Sequence, residues 1–368
     1  MRLALRELRR RPGRFVAATA ILALIAVLLM FLGGLLDGLL DSSTGAYRAQ
    51  QADVVAYSTS ARRSLPRSRI PEDLRALAAK AEGVTAVGGL GTLQVAARPS
   101  DEPQTRDLIS TVLIGYELAP RGLPSEPPPL GSVIADSSIT ADGVREGDTL
   151  LLGAGRVPVK IVGLVDDTRY AGQASLWGSL ETWRTVTQQL RPGQAAPDAV
   201  QALVIRADGS PERAASRVEE ATDGALEALT LDEAIDAIPG VSQQRSTFNQ
   251  IIGVTVLVAL VVVALFFALV TVERISLYGV LKAVGASSGT LFAGVVVQAV
   301  VVTAVAAAIG AGLAALLDVA IPPGSIPFAL SASRLVLSAA LLLVASVVGC
   351  AFSLRRVLRV DPAAAIGA

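Results

Sequence analysis

The sequence contains no histidine, and Cys350 is the single cysteine among its 368 residues. Without histidine the chain lacks the most common metal ligand and the most common general base, which disfavours metal-dependent and histidine-dependent catalysis. One cysteine permits no disulfide within the chain, so any folded domain must be held together by its core. Aromatic residues make up 4%, too few to suggest a base-stacking surface. We therefore predict no metal site and no nucleic-acid partner.

Motifs that indicate catalysis are missing or out of context. No G-x-x-x-x-G-K-[ST] phosphate loop occurs, so the chain is not itself a P-loop ATPase. Gly285–Gly289 matches the letters of the G-x-S-x-G nucleophile elbow, but it follows no predicted strand and no histidine exists to activate its serine. We interpret Asp166–Asp167 and Glu219–Glu220 as solvated surface, since adjacent residues on a strand point to opposite faces. No catalytic residue is predicted, and the chain is not expected to be an enzyme.

The charge that is present is separated along the chain. The stretch from Asp41 to Arg245 has 27 acidic and 20 basic residues, a net charge of −7, and the rest of the chain carries +7. Most of the remaining basic residues lie in segments 2–14, 274–282 and 355–359, and each segment adjoins a long uncharged run. Basic flanks on one side of apolar spans follow the positive-inside rule. We predict a multi-pass protein of a bacterial plasma membrane with both termini cytoplasmic.

Four uncharged runs are long enough to cross the hydrocarbon core, which takes about 20 helical residues. The predicted fold class is an α-helical membrane protein with four transmembrane helices and an α+β extracytoplasmic domain inserted between helices 1 and 2. The predicted boundaries are 1–14 for a cytoplasmic basic helix, 15–40 for helix 1, 41–246 for the extracytoplasmic domain, 247–272 for helix 2, 273–290 for a cytoplasmic amphipathic helix, 291–317 for helix 3, 318–334 for a short outer loop, 335–354 for helix 4 and 355–368 for a cytoplasmic tail.

Two other interpretations of the apolar runs are weaker. Helices in a soluble core keep a polar face, and these runs have none. A cleaved signal peptide has a shorter apolar core and a small-residue exit site, so we interpret the first run as an uncleaved anchor. Within the inserted domain, alternating apolar residues predict strands, among them 149–152 and 157–165. Capping and turn residues predict helices over 71–82 and 211–229.

The segment between helices 2 and 3 has an apolar side on a surface that the charge pattern places in the cytosol. It is longer than a connecting turn requires, and an exposed apolar face requires a partner groove. The residues assigned to contact with that partner are Glu273, Arg274, Leu277, Val280, Leu281, Lys282, Val284 and Gly285. Small residues spaced by four also allow close approach of helices, within the chain or between copies. The residues assigned to such helix packing are Gly34, Gly38, Ala306, Gly310 and Ala314.

Three segments resemble the permease subunits of MacB/FtsX-like ABC transporters, a family that includes proteins of similar size such as DevC and HrtB. ALRELRRRPGRF at 4–15 resembles the family's basic N-terminal helix. VERISLYGVLKAVGAS at 272–287 resembles its coupling helix, from which it departs at Leu277 and Tyr278. RRVLRVDPAAAI at 355–366 resembles its C-terminal signature. The three segments occur in the family's order and cover both ends of the chain and its membrane region.

The resemblance implies a dimer of permeases, identical or different, embedded in membrane lipid and joined to a separately encoded ABC ATPase. ATP and magnesium would then bind to that ATPase, and this chain would hold no cofactor. The first functional reading is export of an amphiphilic or hydrophobic compound, such as a lipid, an antibiotic, a peptide or haem, by mechanical transmission of ATPase closure. Two alternatives are an FtsX-type mechanotransmitter that activates an extracytoplasmic cell-wall hydrolase and a sensor of antimicrobial peptides. The sequence names neither the cargo nor the ATPase.

Overall fold

The structure is a computed structural model that describes residues 12–100, 108–194, 198–273, 284, 287–321 and 326–357. The chain separates into two compact units. We call Met1–Gly38, Arg245–Pro322 and Ile326–Ala368 the membrane unit. We call Leu39–Gln244 the inserted domain. Each unit is described by itself.

The helices and strands of the described residues follow a simple order along the chain. They are α1 (Pro12–Arg48), β1 (Val54–Ser58), β2 (Ile70–Pro71), α2 (Glu72–Ala78), β3 (Val84–Pro99), β4 (Ile109–Tyr116), β5 (Ser132–Asp136), β6 (Thr149–Leu152), β7 (Val157–Val165), β8 (Ala174–Ser179), α3 (Leu180–Leu190), β9 (Ala199–Val200), β10 (Ala202–Ala207), α4 (Pro211–Ala221), β11 (Leu226–Thr230), α5 (Leu231–Asp236), α6 (Val241–Val272), α7 (Ser288–Ala320) and α8 (Ala332–Val357).

Helices α1, α6, α7 and α8 are long and apolar enough to cross a membrane. Their backbone hydrogen bonds close within each helix, which is what a lipid environment demands of a spanning segment. Within the described part of the membrane unit, a buried polar contact joins α7 to α8: the Thr303 hydroxyl donates to Ser346 Oγ at 2.8 Å, and both residues are buried. The predicted fold class of four apolar helices with an α+β domain between the first and second is confirmed.

The inserted domain is built on a nine-stranded mixed sheet in the order β11-β1-β10-β3-β4-β8-β5-β7-β6. The long strand β3 also pairs with β6 at its far end, so β3, β4, β8, β5, β7 and β6 form a closed ring. β4 runs parallel to β8 and β5 parallel to β7, whereas the other pairs in the ring are antiparallel. Strands β10, β1 and β11 extend the sheet beyond the ring.

Strand β1 shows why this sheet needs apolar residues on both faces. Val54 and Ala56 belong to one buried cluster, together with residues of α2 and α4. Val55 and Tyr57 point the other way and belong to a second cluster, with residues from the end of α1 and from α5. Side chains alternate across a strand, so a strand covered on both faces reads as a continuous apolar run.

The structure corrects the helix predicted over 211–229. Helix α4 ends at Ala221, and Asp223 and Gly224 then adopt positive φ angles of 49° and 70°. A left-handed residue stops a helix and turns the chain. The chain continues as β11, whose Leu226 and Ala228 are buried. The helix predicted over 71–82 is shorter, Glu72–Ala78. The strands predicted at 149–152 and 157–165 have the bounds of β6 and β7.

Candidate functional site

Most of the predicted coupling segment lies outside the described residues. This applies to Arg274, Leu277, Val280, Leu281, Lys282 and Gly285. Glu273 follows α6, with its backbone N–H donating to the Leu269 carbonyl at 3.1 Å, and is exposed. Val284 is 82% exposed. Contact with an ATPase at these residues stays a prediction.

Ser287, the serine of the G-x-S-x-G match, caps helix α7. Its Oγ accepts a hydrogen bond from the Thr290 backbone N–H at 3.2 Å. This is the ordinary role of serine at a helix N-terminus. No group of three or more metal-ligating side chains was found among the residues that the structure describes.

Gly310, one of the small residues of α7, lies against α1. Ala306, Gly310 and Ala314 are buried, one turn apart. A Cβ placed on Gly310 would lie 2.6 Å from the Ala26 Cβ, closer than two carbon atoms can approach without repulsion. Gly312, two residues further on, is exposed and has nothing within 4 Å of such a Cβ. The absent side chain at Gly310 therefore sets the distance between α1 and α7.

Gly34 and Gly38 of α1 lie against the segment that precedes α8, which is not helical. A Cβ on Gly34 would lie 2.6 Å from the Phe328 ring, and one on Gly38 would lie 2.3 Å from the Pro327 carbonyl oxygen. The Ala329 backbone N–H donates to the Gly34 carbonyl at 3.0 Å. These glycines admit a loop backbone, whereas the sequence pattern pointed to a second helix.

An ion pair beside these glycines was not singled out from the sequence. Arg334 Nε donates to Asp37 Oδ2 at 2.9 Å, and the Arg334 terminal nitrogen also contacts the second carboxylate oxygen. The Ser331 hydroxyl donates to Asp37 Oδ2 at 3.3 Å. Both charged side chains are 20% exposed. Two-pronged contact of this kind is the strong form of an arginine–carboxylate pair.

The inserted domain contains a pocket of about 210 Å³ where strand β10 begins. Strands β1 and β3 contribute to its walls, together with the end of α3, the loop after β1 and the loop before β8. The residues that define it are Tyr47, Tyr57, Tyr170, Arg63, Arg69 and Arg191, and we call it the Tyr–Arg pocket. No Asp or Glu is among the described residues that line it. Sequence reasoning missed this pocket.

The tyrosines of the Tyr–Arg pocket are buried and uncharged. The hydroxyls of Tyr47 and Tyr57 are 2.8 Å apart in a hydrogen bond, and the Tyr47 and Tyr170 rings stack with centroids 5.8 Å apart. Burial raises the pKa of the Tyr170 phenol to about 12 and raises the pKa of Tyr57 well above its ordinary value. Removal of the phenol from water disfavours its charged form, so these rings act as neutral walls.

Thr187, near the end of α3, lines the Tyr–Arg pocket and has an unpaired hydroxyl. The residue is 6% exposed, and its Oγ1 has no hydrogen-bond partner among the described atoms. One turn later, the Arg191 guanidinium donates to the Gln94 carbonyl at 3.1 Å and is exposed at the rim. A buried hydroxyl without a partner is unfavourable, and this one lies in the wall of the pocket without facing the open space.

This chain is similar to known permease proteins, both in its C-terminal part and along its whole length. Residues 249–362 match the family of FtsX-like permease C-terminal domains. The whole chain is 22% identical over 370 residues to a putative hemin transport system permease protein HrtB of Staphylococcus haemolyticus, covering 100% of this chain and 99% of that protein. A protein of the same description from Staphylococcus epidermidis is 19% identical over 368 residues, with the same coverage.

Two solved structures are also similar to part of this chain. The periplasmic region of MacB from Actinobacillus actinomycetemcomitans is 11% identical with a TM-score of 0.35, covering 50% of this chain and 92% of that one. The extracellular domain of the transporter YknZ from Gram-positive bacteria is 10% identical with a TM-score of 0.32, covering 49% and 100%.

Proposed function

We propose that this chain, an ABC transporter permease of the FtsX/MacB-like type, exports an amphiphilic or hydrophobic compound. The observation that carries the proposal is similarity along the whole chain to permeases whose names assign them to hemin transport. An iron porphyrin is therefore the first cargo to test. Lipids and lipophilic antibiotics are the next.

The energy for export comes from a second protein. The sequence has no phosphate loop, so ATP and magnesium bind to a separate ABC ATPase. We assign the contact to segment 273–287, in which Val284 is exposed and apolar. The ATPase binds there, and its closure moves the helices of a permease dimer.

A mechanical route fits the chemistry of the spanning helices better than a polar channel does. The hydroxyls of Thr255 and Thr271 donate to carbonyls of their own helix, at 2.8 and 2.5 Å. Ionisable side chains at mid-membrane would mark a path for a polar substrate, and the described part of α6 and α7 has none between Arg245 and Glu273 or between Thr290 and Leu317. The work done on the cargo is therefore assigned to helix motion.

The orientation in the membrane follows from the charge separation. Residues 41–245 carry −7 and the remainder +7, and short basic flanks stay on the cytosolic side. We place both termini and segment 273–287 in the cytosol and the inserted domain outside. This assigns ATP binding and cargo release to opposite sides of the membrane.

The function is tested by reconstituting the chain in lipid with a candidate partner ABC ATPase. We expect no ATP hydrolysis by this chain alone, hydrolysis with the ATPase, and faster hydrolysis when hemin, a lipid or a lipophilic antibiotic is the cargo. Binding of cargo and of nucleotide are then coupled, and the coupling is reciprocal. Hydrolysis that ignores every small molecule, together with binding of a cell-wall hydrolase to the chain, would show that it is a mechanotransmitter instead.

The contact is tested separately with Leu281→Asp. A charge on the apolar side of the predicted coupling helix costs several kcal/mol when buried in a groove, because it loses its water. We expect the ATPase to be lost from the purified complex while the permease still inserts. Ala286→Asp, on the opposite side of that helix, is the matched control and should keep the ATPase. Equal retention by both variants contradicts the assignment.

A further inference from the structure

We propose that the Tyr–Arg pocket of the inserted domain binds an anionic head group, a phosphate or a carboxylate, carried on a small aromatic or apolar group. The pocket's own residues would provide this binding whether or not the chain exports a compound. Binding requires neither ATP nor a partner protein.

The first support is the unpaired Thr187 hydroxyl. It is 94% buried, it lines the cavity, and it has no partner among the described residues. Nearby hydroxyls show the usual pattern: Thr92 Oγ1, on the same pocket wall, donates to Gln201 Oε1 at 2.9 Å. Buried polar groups in folded proteins are nearly always paired. A change of the Thr187 rotamer would turn the hydroxyl towards the pocket, where an oxygen of a bound head group would supply the partner that it lacks.

The second support is the sign of the charge. Three arginines line the pocket and no described lining residue is acidic. Arg63 is paired outside the lining set, its Nε donating to Glu227 Oε1 at 2.6 Å. Arg191 donates to the carbonyl of Gln94. Because that carbonyl is neutral, this hydrogen bond does not neutralise the positive charge of Arg191. Guanidinium groups hold phosphate and carboxylate by paired charge-assisted hydrogen bonds.

The third support is the rest of the wall. Leu65 and Ile238 are buried apolar residues, and the neutral faces of Tyr57 and Tyr170 complete the surface. Apolar walls with a few convergent polar groups are typical of small-molecule sites. The volume of about 210 Å³ is below the roughly 300–1,000 Å³ of pockets for drug-sized ligands. The pocket therefore holds one end of an amphiphile, or a small aromatic anion, and not a large ligand.

The test measures binding to the full chain in nanodiscs of phosphatidylcholine. The probe is phenyl phosphate, followed by calorimetry, with inorganic phosphate and phenol as the two half-ligands. We expect phenyl phosphate to bind more tightly than either half. Phosphatidic acid is then added to the nanodisc lipid. If it weakens the binding of phenyl phosphate, a lipid head group is the natural source; if phenyl phosphate binds as tightly as before, the source is a free anion.

Three variants locate the site. Arg191→Gln is expected to weaken phenyl phosphate binding about tenfold, the effect of one charge-assisted hydrogen bond. Thr187→Val keeps the shape and removes the hydroxyl, and we expect a loss of about fivefold that Thr187→Ser restores. Arg145→Gln, at an exposed arginine away from the pocket, should bind as the unchanged chain does.

The outcomes separate cleanly. Loss of binding in Arg191→Gln and Thr187→Val, with both variants melting no lower than Arg145→Gln, supports the site. The proposal is overturned when neither phenyl phosphate nor phosphatidic acid binds, or when all variants bind equally. Failure of cargo-stimulated hydrolysis leaves this result untouched, because the binding assay contains no ATPase.

Discussion

Replacement of Gly310 by alanine tests the packing of α1 against α7. The new Cβ would lie 2.6 Å from the Ala26 Cβ and 3.2 Å from the Ala26 carbonyl carbon. Carbon atoms prefer separations of about 3.5–4.0 Å, so the two helices must move apart by about 1 Å at this point. Overpacking of this kind costs about 1–3 kcal/mol. Alanine is also the better helix former by about 1 kcal/mol, which offsets part of the cost.

Gly312→Ala is the control that separates the overpacking cost from the gain in helix propensity, because the same helix gains an alanine at a position where nothing lies within 4 Å of the new Cβ. The propensity gain cancels between the two variants, so their free energies of unfolding should differ by the overpacking cost alone, about 1–3 kcal/mol. We expect Gly310→Ala to melt about 2–6 °C below Gly312→Ala. The measurement is thermal unfolding of both purified chains in one detergent at one scan rate. Equal melting temperatures would refute the inferred close approach of α1 and α7.

Two further predictions concern the inserted domain and the orientation of the chain. Burial raises the pKa of Tyr116 and Tyr170 to about 12, above the unfolded value of about 10; because the phenols ionise more easily in the unfolded chain, the fold keeps its stability below pH 10 and loses stability as the pH rises from 10 through 12. Ultraviolet phenolate absorbance should therefore rise together with loss of tertiary circular dichroism, and phenols that ionise near pH 10 in an intact fold contradict this. For orientation, a cysteine at exposed Ser125 should react with an impermeant reagent in intact cells and one at Ser287 should not; the reverse pattern inverts the topology.

The apolar helices were predictable because lipid leaves the chain little choice. A run of about 20 apolar residues in lipid must form a helix to pair its own backbone groups. Strands β6 and β7 were predictable for a related reason. In β7, buried Val157, Val159 and Ile161 alternate with exposed Pro158 and Lys160, and this period of two is the signature of a half-buried strand.

Strand β8 and helix α3 were missed because tertiary contacts determine them. All but the last residue of β8 are buried, so no alternation marks it. Helix α3 begins at Leu180 with the Ser179 side chain accepting from the Thr182 N–H at 3.1 Å, and a serine cap alone occurs in many turns. Helix 211–229 was overextended because Leu226 continues a helical spacing that Gly224 interrupts.

The Tyr–Arg pocket was beyond the sequence for a different reason. Its residues come from 47 to 239 along the chain, and they meet where β10 begins beside the longer β3. No spacing rule joins Tyr57, Arg191 and Thr187. The one available signal was the arginine-rich loop that contains Arg63 and Arg69, which the sequence analysis did not single out.

The glycines at the end of the first span show that a sequence pattern can predict close packing at a position without predicting which segment packs there. Gly34 and Gly38 fit the spacing that brings helices together, yet both admit residues 327–328. Gly33 leaves room in the same way for the charged Arg334 side chain, since a Cβ on Gly33 would lie 2.6 Å from the Arg334 Cδ. That clearance lets Arg334 reach Asp37 through two nitrogens, and the Ser331 hydroxyl adds a third donor. A partly buried carboxylate is tolerable only when it is paired in this way, so the glycines and the ion pair form one feature: an attachment of the segment before α8 to α1 within the same chain.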